Sequence, residues 1–224
     1  MKYLTQSIFC LSIATLAACS NETTSERNST VATEEPVTTT DKAETTIQET
    51  TAANTETTSI QSTSYSMSLN ADSDVSFDVK TTGQGTMRDM TVVAQKDGKE
   101  LARITEPVEG TVANTVTTDL NKNQKPELLI FISGGGSGNY GTVYGYELAR
   151  QDWMQLDLPP LTEEQREDYM GHDEFQVQGN QLLRIFPLYR DIDTNSNPTG
   201  GTRTITYSLE GTTFKATSSK DSSK

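Results

Sequence analysis

Leu128-Leu129-Ile130-Phe131-Ile132 is a run of five bulky apolar residues with nothing polar among them. A strand with one face in water alternates polar and apolar side chains, so an unbroken run predicts a central strand covered on both faces. Working outward, the glycine cluster Gly134-Gly135-Gly136-Ser137-Gly138-Asn139-Tyr140-Gly141 separates this strand from a tyrosine-rich one over 143–148. On the other side, Asp119-Leu120-Asn121-Lys122-Asn123 leads into it through Glu127.

Alternation governs the rest. Val75, Phe77 and Val79 point one way against Ser76, Asp78 and Lys80, and Ile205, Tyr207 and Leu209 do the same against Thr204, Thr206 and Ser208. Further strands are expected over 90–94, 101–104, 112–117, 153–156, 175–177 and 182–186. Lys96-Asp97-Gly98-Lys99 and Gln178-Gly179-Asn180 have hairpin-turn chemistry. Thr162-Glu163-Glu164-Gln165 has capping-box spacing and predicts one helix of about two turns before Gly171. The expected fold is all-β: an antiparallel, sandwich-like single domain over 65–214 with one short helix.

The N-terminus carries different information. Met1 and Lys2 precede an apolar stretch too short to span a bilayer, which closes on Leu16-Ala17-Ala18-Cys19. These are the marks of a secretory signal over 1–18. Leu-Ala-Ala-Cys resembles the lipobox of bacterial lipoproteins, which implies acylation of Cys19 and a membrane anchor. Ser20 in place of Asp implies, in the Gram-negative pattern, an outer-membrane location facing the periplasm.

Residues 20–64 hold 15 Thr, 6 Ser and eight acids against two bases. That composition cannot bury enough surface to offset its ordering entropy, so the lipidated segment 19–64 is read as a disordered stalk. The Ser- and Lys-rich tail 215–224 is read as frayed. With Cys10 in the signal and Cys19 lipidated, the domain has no cysteine for a disulfide, thiol nucleophile or metal. A formal net charge of −13 argues against nucleic acid and for a basic protein partner.

Candidate chemistry is sparse. The glycine cluster is neither a Walker loop, because no Gly-Lys-Ser/Thr follows, nor a dinucleotide fingerprint, because no helix opens from it. It is either a connector or a recognition loop at the end of the sandwich. Asp119, Asn121, Asn123 and Glu127 have the alternate spacing of a calcium loop, but Lys122 and Lys125 lie among them and the turn glycine is missing. An Asx-type turn explains them without metal. The domain's one histidine, His172, has no nucleophile elbow around Ser133 or Ser137 and no second imidazole for zinc. Hydrogen bonding to its acidic neighbours Asp173 and Glu174 is expected instead, and Arg203 is expected to pair with acids. No cofactor or metal is called for, and binding rather than catalysis is the expected role.

Several segments together resemble one family. Asp119-Leu120-Asn121 with Pro126-Glu127-Leu128, then Ser137-Gly138-Asn139-Tyr140-Gly141, are similar in order and spacing to the bacterial periplasmic inhibitors of invertebrate-type lysozymes. So are Tyr169-Met170-Gly171-His172-Asp173-Glu174-Phe175, Arg184-Ile185-Phe186-Pro187-Leu188-Tyr189 and Pro198-Thr199-Gly200-Gly201-Thr202-Arg203. The resemblance covers roughly 75–214 and leaves the stalk and lipobox as departures. It implies an all-β sandwich-like inhibitor, a possible homodimer, whose Ser-Gly-x-x-Tyr loop, here Ser137, Gly138, Asn139 and Tyr140, enters the lysozyme cleft. Inhibitors of other lysozyme classes carry a similar loop on a different fold, and the flanking segments point to the invertebrate type. The rival expectation is a lipid-anchored β-domain that binds cell-wall glycan or an envelope protein, with Tyr144, Tyr146 and Trp153 as a platform.

Overall fold

The computed structural model describes residues 63–71 and 74–223, so the expected signal, Cys19 and almost all of the stalk lie outside the described residues. Among the described residues, twelve strands form three antiparallel four-stranded sheets: β1 (Thr63–Asn70) to β4 (Lys99–Glu109) in order, β5 (Thr111–Thr118) to β8 (Asp152–Leu156) in order, and β12-β11-β10-β9. Between them come β2 (Val75–Thr82), β3 (Met87–Lys96), β6 (Glu127–Ser133), β7 (Thr142–Ala149), β9 (Glu174–Gln178), β10 (Gln181–Pro187), β11 (Thr202–Glu210) and β12 (Thr213–Ser222). No helix among the described residues is long and apolar enough to cross a membrane.

The apolar run is β6, and its two-sided burial organises the domain. Leu128, Ile130 and Ile132 enter one core with Phe77, Val79, Met90, Val92 and Tyr146 from β2, β3 and β7. Leu129 and Phe131 enter a second core with Leu182, Phe186, Ile205, Tyr207 and Phe214 from β10, β11 and β12. The five side chains of the run are at most 3 % exposed. The fold is therefore sandwich-like with a third layer: the β5–β8 sheet lies between two cores, each closed by another sheet.

Turn residues behave as their chemistry requires. Asp97 and Gly98 both take positive φ, the pattern of a type I′ hairpin between β3 and β4. Gly179 takes φ +60° at the first position of the two-residue loop from β9 to β10.

Three expectations are corrected. The helix, α1 (Glu163–Arg166), is a single turn rather than two. Its capping box is complete, with Gln165 N–H on Thr162 Oγ1 and Thr162 N–H on Gln165 Oε1, but the chain turns extended at Glu167. Second, the tail expected to fray is β12, paired with β11 as far as Ser222. Only Phe214 is buried in it, so no periodicity betrays a strand held by its backbone and by a bidentate pair, Arg203 to Asp221, at 2.7 and 2.8 Å. Third, strand pairing is already present two residues ahead of Tyr65, since β1 pairs with β2 from Thr63.

Leu128→Ala and Leu129→Ala truncate neighbours that face opposite cores. Each should cost about 2–5 kcal/mol, and in each variant urea unfolding followed by fluorescence and by circular dichroism should remain one coincident transition. Separate transitions for the two cores would contradict a shared central sheet.

Candidate functional site

The glycine cluster is the hairpin loop between β6 and β7, and it is anchored rather than loose. Ser133 Oγ donates to Asn139 Oδ1 at its base, and Asn139 N–H donates to Gly136 O at 3.0 Å. From the next segment, His172 N–H donates to Gly138 O at 2.6 Å, and from across the molecule Asn195 Nδ2 donates to Ser137 O. Gly141 N–H donates to Asp173 Oδ2 at 2.9 Å. The fit leaves no room for side chains at several of its glycines. A Cβ on Gly171, whose φ is +93°, would collide with the Gly138 carbonyl, and a Cβ on Gly138 would meet the Tyr140 ring. This bonding ties the loop to the residue 172–173 segment and to Asn195.

Under the loop lies a buried polar group. Asp173, with a fully buried side chain, accepts from Arg184 Nε at 2.7 Å and from the Tyr169 phenol, while Arg184 Nη2 reaches the same phenol oxygen at 3.0 Å. Burial by itself would lower the Arg184 pKa, but the hydrogen bond it donates to Asp173 and the charge of that carboxylate outweigh it, and the pKa is raised. Burial and the bond to Asp173 push the Tyr169 phenol well above the ordinary range. Arg184 also faces the rings of Tyr169, Phe175 and Phe186 at 5.4 to 6.0 Å. Tyr140 then packs edge-on against Tyr169, centroids 5.6 Å apart, and remains 57 % exposed.

Thus Ser137 and Tyr140 are exposed at a loop whose frame is fixed, and neither hydroxyl bonds another described residue. Gly138 and Asn139, half-buried, supply the frame. A cleft of about 470 Å³ lined in part by Glu109, Tyr140, Thr142 and Tyr144 opens beside it.

Other sequence-selected residues fall elsewhere. His172 does not bond its acidic neighbours: its Nε2 lies 3.2 Å from Asn195 Oδ1, because Asp173 is already occupied by Arg184, Tyr169 and Gly141. Neither Ser133 nor Ser137 bonds the imidazole. Arg203 does pair with an acid, Asp221, and its Nη1 also reaches the carbonyls of Glu164, Gln165 and Glu167 at the end of α1. The expected aromatic platform is interior: Tyr146 is 1 % exposed, and Trp153 and Tyr144 pack half-buried against the first core.

The Asp119–Glu127 segment is a chain of Asx turns. Asp119 accepts from the Asn123 and Gln124 amides, and Asn123 Oδ1 from the Lys125 amide. It wraps two carboxylates that face each other across β6 and β7, Glu127 and Glu147. Glu127 accepts Leu120 N–H at 2.7 Å, and Glu147 takes Asn121, Asn123 and the Lys125 ammonium at 3.0, 2.7 and 3.0 Å. No cluster of metal-binding side chains occurs among the described residues. Burial raises the Glu127 pKa against the pull of the Leu120 and Asn121 amides; at Glu147 burial is outweighed by its three donors, and the pKa is lowered.

Compared with protein-family models and with curated proteins, the sequence matches none. The buried polar group under the loop was not assembled from the sequence, although all three members lie in the segments of resemblance; only the i, i+4 spacing of Tyr169 and Asp173 hinted at it.

Two predictions follow from the charges. Arg184→Leu should destabilise by about 3–5 kcal/mol, because it strands a buried carboxylate, and adding Asp173→Leu should recover part of the loss in thermal unfolding. Because Glu127 is raised, its ionisation weakens the fold as pH rises through the carboxylate range. Glu127→Gln should therefore gain stability relative to the parent between about pH 4 and 7, read by urea titration at each pH; a constant difference would show the burial of that charge to be without cost.

Proposed function

We propose that this protein inhibits invertebrate-type lysozyme and protects peptidoglycan by seating the loop Ser137, Gly138, Asn139 and Tyr140 in the enzyme's catalytic cleft. The observation that carries the reading is a glycine-framed loop with fixed backbone and two unengaged hydroxyl side chains, Ser137 and Tyr140, in the order Ser-Gly-x-x-Tyr. The resemblance of the surrounding segments selects the invertebrate class.

The chemistry is direct. Lysozymes cleave with two carboxyl groups flanking the scissile bond. A serine hydroxyl and a phenol donate to such groups in charge-assisted bonds that strengthen once water is excluded. Tyr140 adds an anchor with few rotatable bonds, already oriented by Tyr169. The acidic chain, at −13, favours encounter with a basic enzyme. In this reading Cys19 carries lipid, and the stalk holds the domain off the outer membrane on its periplasmic side.

The test is inhibition by the full chain of invertebrate-, chicken- and goose-type lysozymes. Selective inhibition of the first is expected, and Tyr140→Ala should weaken it by about 2 kcal/mol or more, roughly thirtyfold. No inhibition of any class, or inhibition unchanged by both Tyr140→Ala and Ser137→Ala, would overturn the proposal.

A further inference from the structure

The loop's outer half is held from a distant part of the chain. Five of the eight residues from 134 to 141 are glycine, and a glycine left free forfeits the most backbone entropy when a partner immobilises it. Ser137 O and Gly138 O are nonetheless both engaged, by Asn195 Nδ2 and by His172 N–H. The Asn195 amide works at both ends: its nitrogen donates to Ser137 O and its oxygen faces His172 Nε2 at 3.2 Å. Since a carbonyl cannot donate, this orientation assigns the Nε2 proton to His172.

The connection that carries Asn195, between β10 and β11, has a rigid base. Asp193 accepts from the Arg190 amide at 2.8 Å and from the Thr199 amide and hydroxyl, both at 2.7 Å. The buried Tyr189 donates its phenol to Asn195 O at 2.9 Å, and its ring stacks with the His172 ring at 6.4 Å. A continuous set of contacts therefore runs from the second core, beside which Tyr189 is buried, to the carbonyl of Ser137.

We propose that Asn195 and His172 are positioning residues, a clip that holds the 137–140 loop in its binding shape so that partner affinity depends on two side chains behind the contact surface. For affinity the inference rests on the proposed inhibition; for loop order it does not. Ordering the loop before encounter removes a cost that binding would otherwise bear.

Asn195→Leu removes both ends of the clip at similar volume, and three readings on the full chain test it. Hydrogen exchange of the amides from 136 to 141 should accelerate about tenfold or more, with β6 and β7 amides and the urea midpoint unchanged. Inhibition of invertebrate-type lysozyme should weaken by about tenfold. In a Tyr140→Phe background that loss should shrink, because residues acting through one loop are not additive. Unchanged loop exchange would overturn the proposal, and if inhibition still fell it would make Asn195 a direct contact instead. A wild-type protein that inhibits no lysozyme would overturn the functional reading and leave the exchange measurement to decide the clip.

Discussion

Burying both faces of one strand constrains everything around it. Once β6 sends Leu128, Ile130 and Ile132 to one side and Leu129 and Phe131 to the other, a sheet is required on each side, and neither core can be removed without exposing the strand. The hairpin built on it, β6 with β7, is packed on both faces at β6, and its two ends carry two elaborate polar arrangements. At one end Glu127 faces Glu147 and the Asx turns supply enough donors to hold them; at the other end the chain crosses over as the glycine loop. The loop is rooted in the most deeply buried strand of the domain.

Fixing the root alone does not fix eight residues. The Asp173, Arg184 and Tyr169 group grips Gly141 and braces Tyr140, while the connection between β10 and β11 reaches the middle of the loop. The third sheet thus has two roles, closing the second core and buttressing the loop from behind.

Much of the fold was legible because it is written in side-chain period. The five-residue run, the alternation of β2 and β11, and the Asp97-Gly98 turn each name their structure through a local rule. What escaped has no such signature. β12 turns polar residues to both sides and is a strand only because β11 offers it an edge, and β1, for all its alternation of Tyr65, Met67 and Leu69 with serines, merges into a Ser- and Thr-rich stretch. The position of the candidate loop was visible as a glycine cluster between two strands. Its anchoring was not, because the groups that hold it come from Asn195 and Asp173, 58 and 32 residues away in sequence. His172 shows the same limit: a neighbour in sequence, Asp173, is committed elsewhere, and the partner comes from another loop.

The collisions that a side chain at Gly138, or at Gly171 packed against it, would cause set the loop's framing positions apart from those it displays. A substitution at Gly134 or Gly171 would push backbone against backbone, and one at Gly138 would displace the Tyr140 ring. The Ser137 and Tyr140 side chains project from the backbone path of the loop, which is held mainly through backbone atoms at Ser137, Gly138 and Gly141, with the Tyr140 ring leaning on Tyr169. The side chains displayed at Ser137 and Tyr140 can therefore be exchanged while the backbone contacts at Ser137 O, Gly138 O and Gly141 N–H stay in place, so what the loop shows and how it is held are separable properties.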